Sequence, residues 1–315
     1  MNGPTPNWQT TVTTPSLLGE SPFWHPDEQQ LYWVDIPGQQ VHRCNVFMGT
    51  VESWAMPQEP GCIAPAVSGG LVIALRDGMY RAPEWGGALA LLHRFDHDPA
   101  TMRFNDGKCD PLGRFWAGTM YEPRDQPLAA LFALDARGAR DGQSPTVERM
   151  VGQATLANGL AWSPDAKTLY WADTAAHLIR AWDWEAGSNC LANERVFQQF
   201  PTKPPGWTWG DPVCGPYGGR PDGAAVDSLG NYYAAMYEGR RILKFSPAGE
   251  LLQEIATPVQ CPTMPCFGGD DLRTLYLTTS RHGRSARELA EQPLAGCVFA
   301  LRVDVPGLPV NFFQD

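Results

Sequence analysis

Six stretches of the chain repeat one form: an apolar run, a tight turn, then a strand-like segment. In most copies that segment carries adjacent aromatics. The clearest pair is ESPFWHPDEQQLYWVD at 20–35 and NGLAWSPDAKTLYWAD at 158–173. The form returns as NDGKCDPLGRFWAG (105–118) and DGAAVDSLGNYYAA (222–235), and more weakly as APAVSGGLVIAL (64–75) and PCFGGDDLRTLYLTT (265–279). Further strand-like segments follow, among them QQVHRCN (39–45), HLIRAWDW (177–184), RILKFSP (241–247) and GCVFALRVD (296–304). The markers Tyr32, Val72, Phe115, Tyr170, Tyr232 and Tyr276 stand about 40 to 62 residues apart. Repeats of about this length, with short strands and no helical periodicity, predict β-propeller blades. One four-stranded blade cannot bury both of its faces, so blades must stack about an axis. Six copies predict an all-β, six-bladed β-propeller, with residues 1–315 forming one domain. The segment WQTTVTT (8–14) alternates polar and β-branched residues ahead of the first copy. It is expected to close the ring as the outermost strand of the last blade, leaving no lone edge. A sandwich of two sheets is the competing all-β reading, and it leaves the repeat unexplained.

Composition agrees and removes several classes of function. The 32 glycines and 29 prolines suit many tight turns, and 43% apolar residues with 12 tryptophans supply a large core. Charged residues make up only 18%, too few for a coiled coil or a disordered chain. The net charge is −10 and there is no Lys/Arg run, so no nucleic-acid partner is expected. No apolar stretch approaches the ~18 residues of a membrane span, and no membrane partner is expected. The eight cysteines are scattered without a C-x-x-C pair, which reads as free thiols of a reducing compartment. With no signal peptide visible at the N-terminus, the expected location is the cytoplasm.

The repeat also marks a site. Aligned on the residue before the turn (Trp24, Val67, Cys109, Trp162, Val226, Phe267), the copies carry Glu20, Ile63, Asn105, Asn158, Asp222 and Thr263 four positions earlier. Equivalent positions in a propeller lie on a ring about the axis. Glu20, Asn105, Asn158 and Asp222 should therefore converge at one mouth of the channel. Carboxylates held close repel unless a cation or a proton separates them. Oxygen donors without Cys or His suit a hard divalent ion such as Ca²⁺, Mg²⁺ or Mn²⁺. Asn-Gly at 158–159 is a turn dipeptide, so Asn158 is expected both to end a turn and to offer its side-chain oxygen. Gly159, Gly223 and Gly107 are expected to let the chain turn sharply into the innermost strand.

These residues resemble the sugar-lactonase family of gluconolactonase and regucalcin (senescence marker protein). The resemblance is carried by LGESPFW (18–24), RFNDGKCDPLGRFWAGTM (103–120), NGLAWSPD (158–165), PDGAAVDSLGNYYAA (221–235) and CFGGDDLRTLYLTTS (266–280). The tail ARELAEQPLAGCVFALRVDVPG is nearer to the bacterial aldonolactonases. The resemblance implies a six-bladed propeller with one divalent metal on the axis, held by Glu20, Asn158 and Asp222. It leaves the ion open among Ca²⁺, Zn²⁺, Mg²⁺, Mn²⁺ and Fe²⁺. It places Asn105 beside the metal and Arg103 on substrate oxygens. Some members use a further glutamate after AGTM; here Glu122 stands one position before the expected place, which Pro123 occupies. The segment 201–219, PTKPPGWTWGDPVCGPYGG, is longer than the family pattern. Its Trp207, Trp209 and Tyr217 are candidates either to stack on a sugar ring or to pack on the blade tops.

The reaction implied is hydrolysis of a sugar (aldono) lactone to the aldonic acid. It needs a polarised carbonyl, an activated water and a stabilised tetrahedral intermediate. Asp222 is the expected general base, with Arg103 and Asn105 orienting the sugar hydroxyls. G-x-S-x-G, P-loop, G-x-G-x-x-G and H-E-x-x-H motifs are absent. Competing readings are a metal-dependent phosphotriesterase or arylesterase and a non-catalytic calcium-binding propeller. The partner expected is a small sugar lactone, and the assembly a monomer or weak homo-oligomer.

Overall fold

A computed structural model describes residues 6–138, 142–210, 215 and 217–315. They form six four-stranded antiparallel sheets arranged as propeller blades. Blade one is β2 (Gly19–His25), β3 (Gln30–Asp35), β4 (Gln40–Asn45) and β5 (Thr50–Ala55). Blades two to five begin with β6 (Pro60–Pro65), β10 (Met102–Cys109), β14 (Ala157–Trp162) and β18 (Arg220–Val226). The sixth consists of β22 (Pro262–Gly268), β23 (Thr274–Thr279), β24 (Val298–Arg302) and β1 (Gln9–Val12), in that order outward. β1 pairs antiparallel with β24 through Gln9 and Ala300, so the N-terminal strand closes the ring as expected. A short helix, α1 (Ala286–Glu291), intervenes between β23 and β24.

The paired aromatics of each repeat follow from this stacking. Neighbouring side chains on a strand point to opposite faces of the sheet. On β3, Tyr32 enters the core shared with blade two, while Trp33 enters the core shared with blade six. Phe115 and Trp116, Tyr170 and Trp171, and Tyr232 and Tyr233 divide in the same way between the two cores flanking their blades. Each second strand is therefore apolar on both faces. Burial then falls outward: β2 and β6 are buried throughout, whereas β5 is almost wholly exposed.

The C-terminal segment crosses the axis beneath the inner strands. It runs from Gly307, bridged to Asp227 of blade five, to Phe313, bridged to Ala66 of blade two. On the way Asn311 Nδ2 donates to Cys109 O at 3.1 Å. Leu308, Pro309, Val310 and Asn311 line a lower axial cavity of about 300 Å³ together with the inner strands. Seven cysteines are described; all are free, and only Cys190 is exposed. Among the described residues, no helix is long and apolar enough to cross a membrane.

Candidate metal and substrate site on the propeller axis

The inner strands change register where the aligned residues stand. On β2, Glu20 pairs with Val34 and Phe23 with Tyr32, three steps against two. The same shift follows Asn158 on β14, and it brackets Asn105 on β10 and Asp222 on β18. A bulge bends its strand and re-aims the side chains beside it. The Asn-Gly pair at 158–159 is thus a bulge inside β14 rather than a turn ahead of it. Gly159 takes the left-handed conformation, with φ of 62°, that glycine adopts without penalty. Gly107 and Gly223 have ordinary φ and serve close packing: a Cβ would stand 2.4 Å from Trp116 O or from Met264 Cβ respectively.

All six residues expected at the site line one cavity of about 320 Å³: Glu20, Arg103, Asn105, Glu122, Asn158 and Asp222. Ile63 and Thr263 complete the sixfold slot without joining it. Ile63 lies in the core between blades one and two, and Thr263 Oγ1 bonds to Gly19 O and Thr278. Asn158 is oriented from both sides. Its Nδ2 donates to Thr174 Oγ1 at 2.8 Å, and its Oδ1 accepts from Asn105 Nδ2 at 3.0 Å. That leaves one amide-oxygen lone pair for a ligand. Asn105 also donates to Ala157 O at 2.9 Å and accepts from Arg103 Nη1 at 2.8 Å. Glu122, one position early in sequence, still reaches the cavity. Arg76 holds it through two 2.9 Å hydrogen bonds, and Arg103 Nε lies 3.7 Å away.

The carboxylates are poorly supplied with partners. Glu20 accepts from the Ser21 N–H at 3.2 Å, and among the described residues no hydrogen bond reaches the Asp222 carboxylate. Burial, then the charges of Asp222 and Asp106, push the Glu20 carboxyl well above its usual range. Burial pushes Asp222 up to about 8; Asp106 adds to this, while Arg220, Arg103 and Arg124 oppose it. Asp106 sits just below, accepting from Leu160 N at 2.9 Å with Oδ1 buried and unpartnered. Buried acids raised by one another are what a cation would relieve. Two carboxylates and an amide oxygen, with no thiolate or imidazole, fit a hard divalent ion. Among the described residues no cluster of three or more His, Cys, Asp or Glu could hold a metal. Asn158 would therefore have to be the third protein ligand.

Residues 18–281 match the family model described as the SMP-30/Gluconolactonase/LRE-like region. The chain belongs to this family. The SMP-30/gluconolactonase relatives similar to it include a 6-deoxy-6-sulfogluconolactonase of Pseudomonas putida, 42% identical, with 96% of this chain and 97% of that protein aligned. A regucalcin of Danio rerio is 34% identical, with 93% of each chain aligned. In fold, the chain superposes on a calcium-binding regucalcin of Agrobacterium tumefaciens with a TM-score of 0.87 at 22% identity, covering 99% and 98% of the two chains.

In this SMP-30/gluconolactonase-family protein the cavity has further walls that the repeat alignment does not name: Glu59, Arg124, Thr174, Arg220, Tyr237 and Arg284. Arg220 did have a signal. It stands two residues before Asp222, as Arg103 stands two before Asn105, the spacing of side chains on one strand face. The long segment packs on the blade tops. Trp207 and Tyr217 are buried against each other, with centroids 5.2 Å apart, and the Tyr217 hydroxyl bonds His177 Nε2 at 2.6 Å. Neither they nor Trp209 lines the cavity. Residues 211–214 and 216 of this segment lie outside the described residues.

Proposed function

We propose that the protein hydrolyses a sugar lactone to its aldonic acid in the axial cavity, with one divalent cation held by Glu20, Asn158 and Asp222. The observation that carries the reading is one cavity lined by underpartnered acids, an amide oxygen with a spare lone pair and a buried guanidinium. A cation bound there supplies Lewis-acid polarisation of a carbonyl and a more acidic water. The side chains supply the rest. Among the described residues Arg103 makes hydrogen bonds only through Nη1, to Phe104 O and Asn105 Oδ1. Its Nη2 is left to donate to a sugar oxygen. Asn105, fixed at both ends of its amide, keeps that guanidinium and Asn158 in register. Asp222 takes the proton from the attacking water, and Glu122, tied to Arg76, accepts from a sugar hydroxyl at the wall. Lactonases among the relatives support the substrate class.

The test is a panel of aldonolactones, a phosphotriester and an aryl ester, run on metal-stripped protein and after adding back single divalent ions. Turnover of a lactone that depends on the added ion is expected, with little on the other esters. Full activity in protein shown by elemental analysis to be metal-free, or no lactone turned over with any ion, would overturn the proposal.

A further inference from the structure

The cavity is acidic at the axis and basic at its rim. Lys203, Arg220 and Arg284 gather on the buried Glu238, at 2.8, 3.4 and 2.9 Å respectively. Glu288 approaches Arg284 at 3.8 Å. Arg124 joins the same wall from the loop after β11 (Phe115–Tyr121); its backbone N–H donates to Tyr121 O at 3.1 Å, and among the described residues its guanidinium makes no ion pair or hydrogen bond. Four cations thus gather about the carboxylates of Glu238 and Glu288, while Glu122, which also attracts Arg124, is held by Arg76. Tyr237 stands between the guanidiniums: those of Arg220 and Arg284 lie 5.2 and 5.7 Å from its ring centroid. Glu238 is accounted for, since burial raises its carboxyl and the cations outweigh that, holding it below its usual value. Arg124 is not. Its guanidinium is exposed where it lines the cavity beside Arg220, and with no protein carboxylate paired to it, it is free to receive an anion.

We propose that Arg124, Arg220 and Arg284 form a second subsite that binds a tetrahedral oxyanion, a sulfonate or phosphate, carried by the lactone at the end away from its carbonyl. This rests on the lactonase reading of the axial site. The chemistry fits in three respects. Guanidinium presents paired N–H donors that match the oxygens of such groups. A neutral hydroxymethyl group would leave the surplus charge unmet. The arginines line the same cavity as Glu20 and Asp222, so one molecule bridging both ends is held in a single orientation.

The experiment compares kcat/KM for three substrates: gluconolactone, the same lactone phosphorylated on its terminal hydroxyl, and the one with that hydroxyl replaced by sulfonate. Each is run with wild type and Arg124→Gln, whose exposed loop position spares the fold. The wild type is expected to prefer at least one anionic lactone by tenfold or more. Arg124→Gln should cut that preference roughly 10–100-fold, as loss of one charge-assisted contact predicts. Which of the two anions gains more distinguishes sulfonate from phosphate. Turnover of neutral lactone with no anionic advantage would overturn the subsite while leaving the lactonase reading intact. A binding arm that needs no turnover separates the two further. Calorimetry should show the sulfonated or phosphorylated open-chain acid binding tighter than gluconate, by a margin that shrinks with salt. Equal affinities would overturn the subsite whatever the activity assay gives.

Discussion

Asp222→Asn should stabilise the metal-stripped protein while abolishing its chemistry. The carboxyl rises from 3.8 to about 8 on folding, chiefly because it is buried. The unfolded chain then releases its proton near pH 4, and the folded chain keeps it to about pH 8. Between those values the native state binds more protons, so each unit of rising pH removes roughly 1.4 kcal/mol of stability. At pH 7 the accumulated cost is about 4 kcal/mol, and it is absent below pH 4. An asparagine of the same shape carries no such penalty. Melting curves of chelated wild type and Asp222→Asn should therefore coincide near pH 4 and separate as pH rises, the variant melting roughly 5–10 °C higher at pH 7. Saturating divalent ion should reverse the order, because only the wild type gains from it. Coincident curves from pH 5 to 8, or a gap that opens toward acid, would refute the argument that this carboxylate is buried without a partner.

Chelation should abolish lactone turnover, and divalent ions should restore it with a rise in melting temperature measurable by scanning calorimetry. Ile63→Ala, in the same repeat slot but inside the core between blades one and two, should cost about 2–5 kcal/mol in denaturant titration and keep metal affinity. Tyr217→Phe removes a buried hydrogen bond to His177; it should cost about 1 kcal/mol and leave the order of preference in a lactone panel unchanged.

The architecture was legible because each blade must be apolar on both faces. That requirement writes adjacent aromatics such as Tyr32–Trp33 and Tyr170–Trp171 into four of the copies, and the two weaker copies, around Val72 and Tyr276, complete the count of six blades. The ring of oxygens was legible for a related reason: a fixed offset from a repeated turn becomes a fixed height on the axis. The bulges were not, since a shift of register in β14 leaves the sequence with only an Asn-Gly pair that reads equally as a turn. Arg124 and Arg284 lie outside the repeated slots, and nothing local marks a guanidinium as cavity-lining. Trp207 and Tyr217 show the converse. Aromatics in a long segment before Asp222 suggest a sugar platform, yet their burial against His177 shows them packing on the blade tops.

The C-terminal segment beneath the axis gives the channel a floor. Leu308 to Asn311 occupy its lower end, and above them Lys108 of blade three reaches the Ala224 carbonyl of blade five. A propeller open at both ends would allow one-way traffic; this one is a cul-de-sac. Substrate and aldonate product must use the same doorway, so the acid has to vacate before the next lactone enters. Product should therefore act as a competitive inhibitor, and any group that grips the sugar's far end tightly will also slow its exit.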